Sequence, residues 1–203
     1  MIKGPKYKIC KRVGNSVFPQ CQTPKFANSM ARTAAKKGKR GRPRSEYGTQ
    51  LLEKQKVKFS YGVTERQFAK YIALALKNKS MNAANYLYQI LETRLDNVVY
   101  KLGFVNSRAF GRQAVNHGHF TVNGKKVNVP SINVKMGDKI SVRIGSQQNA
   151  IFRDMKEKMK NMKFPKWLKF DVEKLTAEVI AMPAYEDETG MNLNTVLEFY
   201  SRT

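Results

Sequence analysis

The sequence predicts an α+β protein, and three observations carry that prediction. Apolar residues recur with the helical period between residues 64 and 102. An Asn-Gly pair then stands between two valine-bearing runs in FTVNGKKVNVP, and short strand-like segments, KISVRI, WLKFD and TAEVIAMP, follow it. At 203 residues and 41% hydrophobic content, the chain has material for one large core or two small ones.

The elements follow in order. SEYGTQLLEKQKVKFSYG reads as a short helix stopped at Gly62. Thr64 and Gln67 have the form of a capping box, and Phe68, Tyr71, Ile72 and Ala75 form the helical stripe behind it. Leu87, Ile90, Leu91, Leu95, Val98, Val99 and Leu102 make a second stripe, which Thr93 divides and Gly103 closes. Ser107 caps a third unit that ends at Gly118, with Phe110, Ala114 and Val115 inward and Arg108 and Arg112 four apart on an exposed face. Asn123-Gly124 makes a hairpin, and Gly137-Asp138 turns into a strand with Ile140, Val142 and Ile144 alternating. IFRDMKEKMKNMK is expected to be a helix with Asp154 and Lys158 paired and Met155, Met159 and Met162 as its apolar stripe. A final helix begins near Asn192, with Val196, Leu197 and Tyr200 as core candidates.

Charge bounds the function. The formal net charge is +23, and repulsion on that scale is carried for an anionic partner. A membrane-spanning role is not expected: the apolar run Tyr71 to Leu76 falls far short of the ~20 residues needed to cross a bilayer. MIKGPKYKICKR lacks the apolar region of a secretory signal. Two cysteines, Cys10 and Cys21, do not make a disulfide framework, so a cytoplasmic protein fits best.

The charge is lopsided. Residues 1–45 hold 13 Lys+Arg and no acid, residues 93–145 hold nine against two, and residues 146–203 hold nine of each. The acid-free stretch reads as an extended basic N-terminal arm that orders on phosphates, with Lys36, Lys37, Lys39, Arg40, Arg42 and Arg44 as contacts. A-form RNA offers a shallow minor groove and phosphates, which suits a rigid surface of Arg and Lys with a few polar hydrogen-bonders. Arg94, Arg108, Arg112, Gln113 and His117 around two helices, with Asn123, Lys125 and Lys126 at the hairpin, supply such a surface. Lys54, Lys56, Lys58 and Arg66 complete the candidate RNA contacts.

The run ETRLDNVVYKLGFVNSRAFGRQAVNHGHFTVNGKKVNVPS, with GDKISV after it, closely resembles the S-four RNA-binding domain. GPKYKICKR, SEYGTQLLEKQKVKFSYGVTERQF and the closing LEFYSR extend the resemblance, in order, across essentially the whole chain. They are similar to the bacterial small-subunit ribosomal protein S-four family. The resemblance implies an all-helical domain interrupted by an inserted α+β RNA-binding domain with a small, mostly antiparallel sheet. The expected division is a basic arm over 1–45, a helical domain over 46–92 completed by 185–203, and the RNA-binding domain with its following strands over 93–184. It further implies direct binding of small-subunit ribosomal RNA, nucleation of subunit-body assembly and a contribution to translational accuracy. The implied neighbours are the protein S-five and messenger RNA where it enters the subunit. The implied location is the small ribosomal subunit in the cytoplasm, with a plastid stroma left open.

Some members of that family carry four zinc-binding cysteines in the N-terminal arm. Here the corresponding positions are Tyr7, Cys10, Cys21 and Phe26, and structural zinc wants four thiolate or imidazole ligands. No metal is therefore expected, and Tyr7 and Phe26 are expected to pack together. No cofactor, small-molecule ligand or catalytic residue is expected either. The enzymatic rival is a pseudouridine synthase, whose catalytic Asp lies in an Arg-Leu-Asp motif that Arg94-Leu95-Asp96 matches in letters. That triplet sits inside the binding module, with no separate catalytic domain beside it, so Asp96 is expected to make a helix-end or Arg contact. His117 and His119 have no Cys, Ser or carboxylate cluster beside them to support general-base or metal chemistry. His117 is expected to touch RNA and His119 to shape the turn. A free RNA chaperone or a repressor of messenger RNA is the binding alternative.

Overall fold

A computed structural model of the chain describes residues 5–14, 17–36, 45–149, 151–153, 155, 159, 162, 164–172, 174–185 and 190–202. These fall into two compact units, Met1–Leu87 with Tyr185–Thr203, and Tyr88–Ala184.

The first unit is helical. Its elements are α1 (Lys6–Val13), a 3-10 turn (Pro19–Cys21), α2 (Pro24–Lys36), α3 (Glu46–Tyr61), α4 (Glu65–Lys77) and the start of α5 (Ala83–Glu92). α3 fills the stretch expected to be helical, from Ser45 to the stop at Gly62. Ser45 accepts a hydrogen bond from the Gly48 amide at its start, and Gly62, at φ 65°, ends it in the left-handed conformation that glycine adopts without strain. Thr64 caps α4 by accepting from the Gln67 amide at 3.4 Å, but Gln67 does not reach back: its side-chain amide donates to the Tyr71 hydroxyl instead. Only half of the capping box forms. Val57, Phe68, Ile72 and Ala75 are buried.

The terminal helix, Leu193–Ser201 (here α9), returns to α3 and α4. Asn192 caps it by accepting from the Thr195 amide, and its Val196, Leu197 and Phe199 are buried. Tyr200 is half-buried, with its ring edge-on to Phe68 at 6.1 Å.

The N-terminal stretch departs from the extended arm expected, because residues 6–13 and 24–36 are helical. The 3-10 turn folds back on α1 and joins Cys10 to Cys21 as a disulfide. Two cysteines insufficient for a framework thus make one local clamp, with both buried alongside Phe26 and packed by Phe18 and Met30. The Tyr7 and Phe26 rings meet at 5.7 Å, as expected of the two aromatics.

The second unit is α+β. α5 ends at Glu92, where the Thr93 hydroxyl donates back to the Gln89 carbonyl, and α6 (Leu95–Lys101) restarts the chain in a new direction. α7 (Arg108–Asn116) is capped by Ser107, which accepts from the Phe110 amide. The strands β1 (Phe120–Val122), β2 (Lys125–Val127), β3 (Lys139–Val142), β4 (Leu168–Asp171) and β5 (Thr176–Val179) form one antiparallel sheet in the order β2-β1-β3-β5-β4. The β1–β2 turn places Asn123 at φ 50° and Gly124 at φ 78°, the two positive values that a tight hairpin requires. Phe104, Phe120 and Phe152 pack at the centre of this core, with ring centroids 5.4 and 5.8 Å apart in sequence order.

The alternation of β3 stops at Val142. Ile144 is 84% exposed and opens a one-turn helix, α8 (Ile144–Gln147), rather than extending the strand. Met155 and Met159 are buried as expected, whereas Met162 is 43% exposed. The expected Asp154–Lys158 pair lies outside the described residues. Among the described residues no helix is long and apolar enough to cross a membrane.

Candidate nucleic-acid interface

The candidate interface in the second unit is built on a buried polar knot at the α5–α6 elbow. Arg94 is 2% exposed, and its guanidinium lies on the Asp96 carboxylate, with Nε to Oδ1 at 3.0 Å and Nη2 to Oδ2 at 2.7 Å. The fold therefore withdraws Arg94 from the set of RNA contacts. A side chain sealed in by its own carboxylate has no surface to offer a phosphate, and Arg94 serves structure instead. Asp96 also receives Arg112 of α7 from Nε and Nη2, at 3.0 and 2.8 Å. That is the Arg contact expected of Asp96.

A second tie runs beside the first. Asn97 donates to the Glu92 carbonyl and carboxylate at 2.9 and 3.0 Å, and its own oxygen accepts from Arg108 Nε at 2.6 Å. Arg108 and Arg112, expected on an exposed face, are thus half-buried and oriented from beneath by α6. Gly111 lets the helices close, since a Cβ there would stand 2.7 Å from the Asp96 carbonyl oxygen.

The fold brings most of the remaining predicted contacts in this unit to one place. Gln113 and His117 are exposed on and just after α7, and Lys125 and Lys126 are exposed on β2. The Lys126 stem lies over Gly118, so hairpin and helix end form a continuous basic surface. Asn123 is exposed too, but its amide is already used. It donates to Asp138 at 2.8 Å and accepts from the Lys139 amide at 2.9 Å, clamping the hairpin to the Gly137-Asp138 turn. Its role is to hold the tip in place.

His119 is half-buried, with Nδ1 3.0 Å from the Ser146 hydroxyl. Burial lowers its pKa below the usual histidine value, and the neighbouring charges of His117 and Arg143 push the same way. Sequence reasoning missed Lys139 and Arg143, both exposed. Their positions on either side of inward Ile140 and Val142 were the signal, because strand side chains alternate.

In the first unit the predicted lysines are not a free basic row. Lys54 and Lys58 both reach Glu65, at 2.8 and 2.7 Å, Tyr200 donates its hydroxyl to the same carboxylate, and Lys56 pairs with Glu53 at 3.5 Å. Lys54 also lies over the Phe199 ring at 4.7 Å. Partial burial opposes ionisation of Glu65, but hydrogen bonds from Lys54, Lys58 and Tyr200 prevail and hold its pKa at about 2. Lys54 and Lys58 knit α3 to α4 and α9, and Lys56 is tied within α3, which corrects the expectation that the three stand ready for RNA. Arg66 is exposed. Lys36 is described only as the last residue of α2, and Lys37, Lys39, Arg40, Arg42 and Arg44 lie outside the described residues. Among the described residues no group of three or more His, Cys, Asp or Glu side chains could hold a metal ion.

The profile of the ribosomal protein S4/S9 N-terminal domain matches residues 1–92, and that of the S4 domain matches residues 93–140. The chain is 45% identical over 202 residues to the small ribosomal subunit protein uS4 of Ruminiclostridium cellulolyticum, covering 96% of each. It is 45% identical over 206 residues to that of Caldicellulosiruptor bescii and 42% identical over 206 residues to that of Acetivibrio thermocellus, covering 98% of each chain in both cases.

Proposed function

The chain belongs to the S4 family of small-subunit ribosomal proteins, a structural and non-enzymatic family, and on that premise we propose how it works. It is a constituent of the small ribosomal subunit that binds the subunit's RNA through its S4 domain. The observation that carries the mechanism is the joined surface of α7 and the β1–β2 hairpin, where Arg112, Gln113, His117, Lys125 and Lys126 stand on a scaffold fixed from below by Asp96 and Asn97. A rigid cationic surface neutralises phosphates along a folded RNA without having to order itself first, so contact with the RNA stabilises one RNA shape over others. The basic residues between Lys36 and Arg44, and Arg66, extend the contact in sequence.

Binding the RNA directly allows the protein to nucleate assembly of the subunit body. A position near the protein S-five, where messenger RNA enters the subunit, would give it a part in translational accuracy. The test is sedimentation. The chain should co-migrate with small subunits after a high-salt wash, and its removal during reconstitution should stall assembly. Recovery of the chain only at the top of the gradient would contradict the reading.

A further inference from the structure

Resting on that reading, we infer that the groove between the end of α6 and the start of α7 is a docking site for one unstacked nucleobase of the RNA. The groove measures about 430 Å3 and is lined by Tyr100, Lys101, Gly103, Asn106, Arg108 and Met162, whose sulfur lies against Gly103. That size falls in the range of small-ligand clefts, roughly 300–1,000 Å3.

The chemistry of its walls favours a planar aromatic ligand over a bare anion. The Arg108 guanidinium carbon lies over the Tyr100 ring, 4.7 Å from its centre, a cation–π pair. The guanidinium's placement is preset: Arg108 Nε donates to Asn97, and Asn97 is held by the carbonyl and carboxylate of Glu92. Unstacked RNA bases lie on such aromatic and guanidinium planes, and every base has a face to offer. Asn106 is exposed at the rim and carries both a donor and an acceptor, the minimum needed to read a base edge. Lys101 is 3.7 Å from the Glu92 carboxylate with its side chain 32% exposed, so it remains within reach of the phosphate attached to a docked base. Glu92 offsets part of the positive charge here, which lowers the attraction for phosphate alone while leaving the stacking plane intact.

The experiment is an NMR titration of the full chain with AMP, UMP and ribose 5-phosphate, following the Tyr100 ring, the Asn106 side-chain amide and the Gly103 amide. AMP should shift all three and bind roughly ten times more tightly than ribose 5-phosphate, the difference that base stacking supplies. Tyr100→Leu should abolish that difference while Tyr100→Phe retains it. Should Tyr100→Leu lose its fold by circular dichroism, Asn106→Ala, at an exposed position, should still weaken the nucleotides relative to ribose 5-phosphate. Equal binding of ribose 5-phosphate and AMP, or nucleotide shifts that bypass these residues, would overturn the inference. A chain that binds small-subunit RNA yet fails this titration sinks the base site alone, whereas one that ignores the RNA sinks the ribosomal reading itself.

Discussion

Arg112 closes on Asp96 across sixteen residues of chain, with Nη2 2.8 Å from Oδ2, on the same carboxylate that neutralises buried Arg94. One carboxylate thus balances a sealed guanidinium and orients a surface one. Asp96→Ala would remove the carboxylate on which buried Arg94 lies, a loss of about 3–5 kcal/mol for a broken buried pair. Arg112→Ala removes a partner that still reaches solvent and leaves the Arg94–Asp96 pair in place, so it should cost far less. Urea denaturation of the two variants checks the ranking, and equal losses would contradict it.

Gly111 makes a separate demand on the same helix pair. An added Cβ would stand 2.7 Å from the Asp96 carbonyl oxygen and 3.3 Å from Val105, so α7 must shift away from α6. Gly111→Ala should destabilise the chain by about 1–3 kcal/mol, the usual range for overpacking. Gly145→Ala, where a Cβ meets nothing within 4 Å, is the control and should be nearly neutral. Thermal melting of both variants distinguishes close packing from a general intolerance of alanine.

The Glu65 knot predicts an acid transition in the helical unit. Its pKa is about 2 in the fold against an ordinary value of 4.5, so its stabilising contribution is complete above pH 4.5 and is lost as pH falls toward 2. Glu65→Gln should flatten stability across that interval. The carboxylate is 46% exposed, so salt should weaken the effect as well. An unchanged pH profile in the variant would assign acid sensitivity to other carboxylates.

Much of the fold is legible in the sequence because its signals are local. Ser45, Ser107 and Asn192 each cap a helix within three residues of themselves, and Asn123-Gly124 specifies its turn alone. What escaped is non-local. Lys54 and Lys58 look like free cations until Glu65 and Tyr200 arrive from two other helices. Arg94 looks like a surface residue because nothing in its neighbours reveals that Leu95 and Asp96 hydrogen-bond to Ile132 and Pro130, covering the elbow. The Arg-Leu-Asp spacing was a usable clue, since an Asp two residues from an Arg can neutralise it. The Cys10–Cys21 clamp was hidden for the same reason, because eleven residues of separation do not reveal that the 3-10 turn folds back.

Lys125 and Lys126 are exposed and stand beside a turn whose geometry depends on Asn123 and Gly124. Replacing both lysines with Ala should leave the fold intact by circular dichroism. Affinity for small-subunit RNA should fall, and the log–log salt slope should flatten by roughly 0.7–0.9 for each phosphate left without its lysine. An unchanged slope would place the hairpin away from the RNA.

The most direct test of the cationic surface is the affinity of the full chain for small-subunit ribosomal RNA, measured across a salt series with transfer RNA as competitor. Tight binding that resists the competitor and weakens steeply with salt is the predicted result. Binding that is indifferent to salt, or that transfer RNA abolishes at equal concentration, would contradict it.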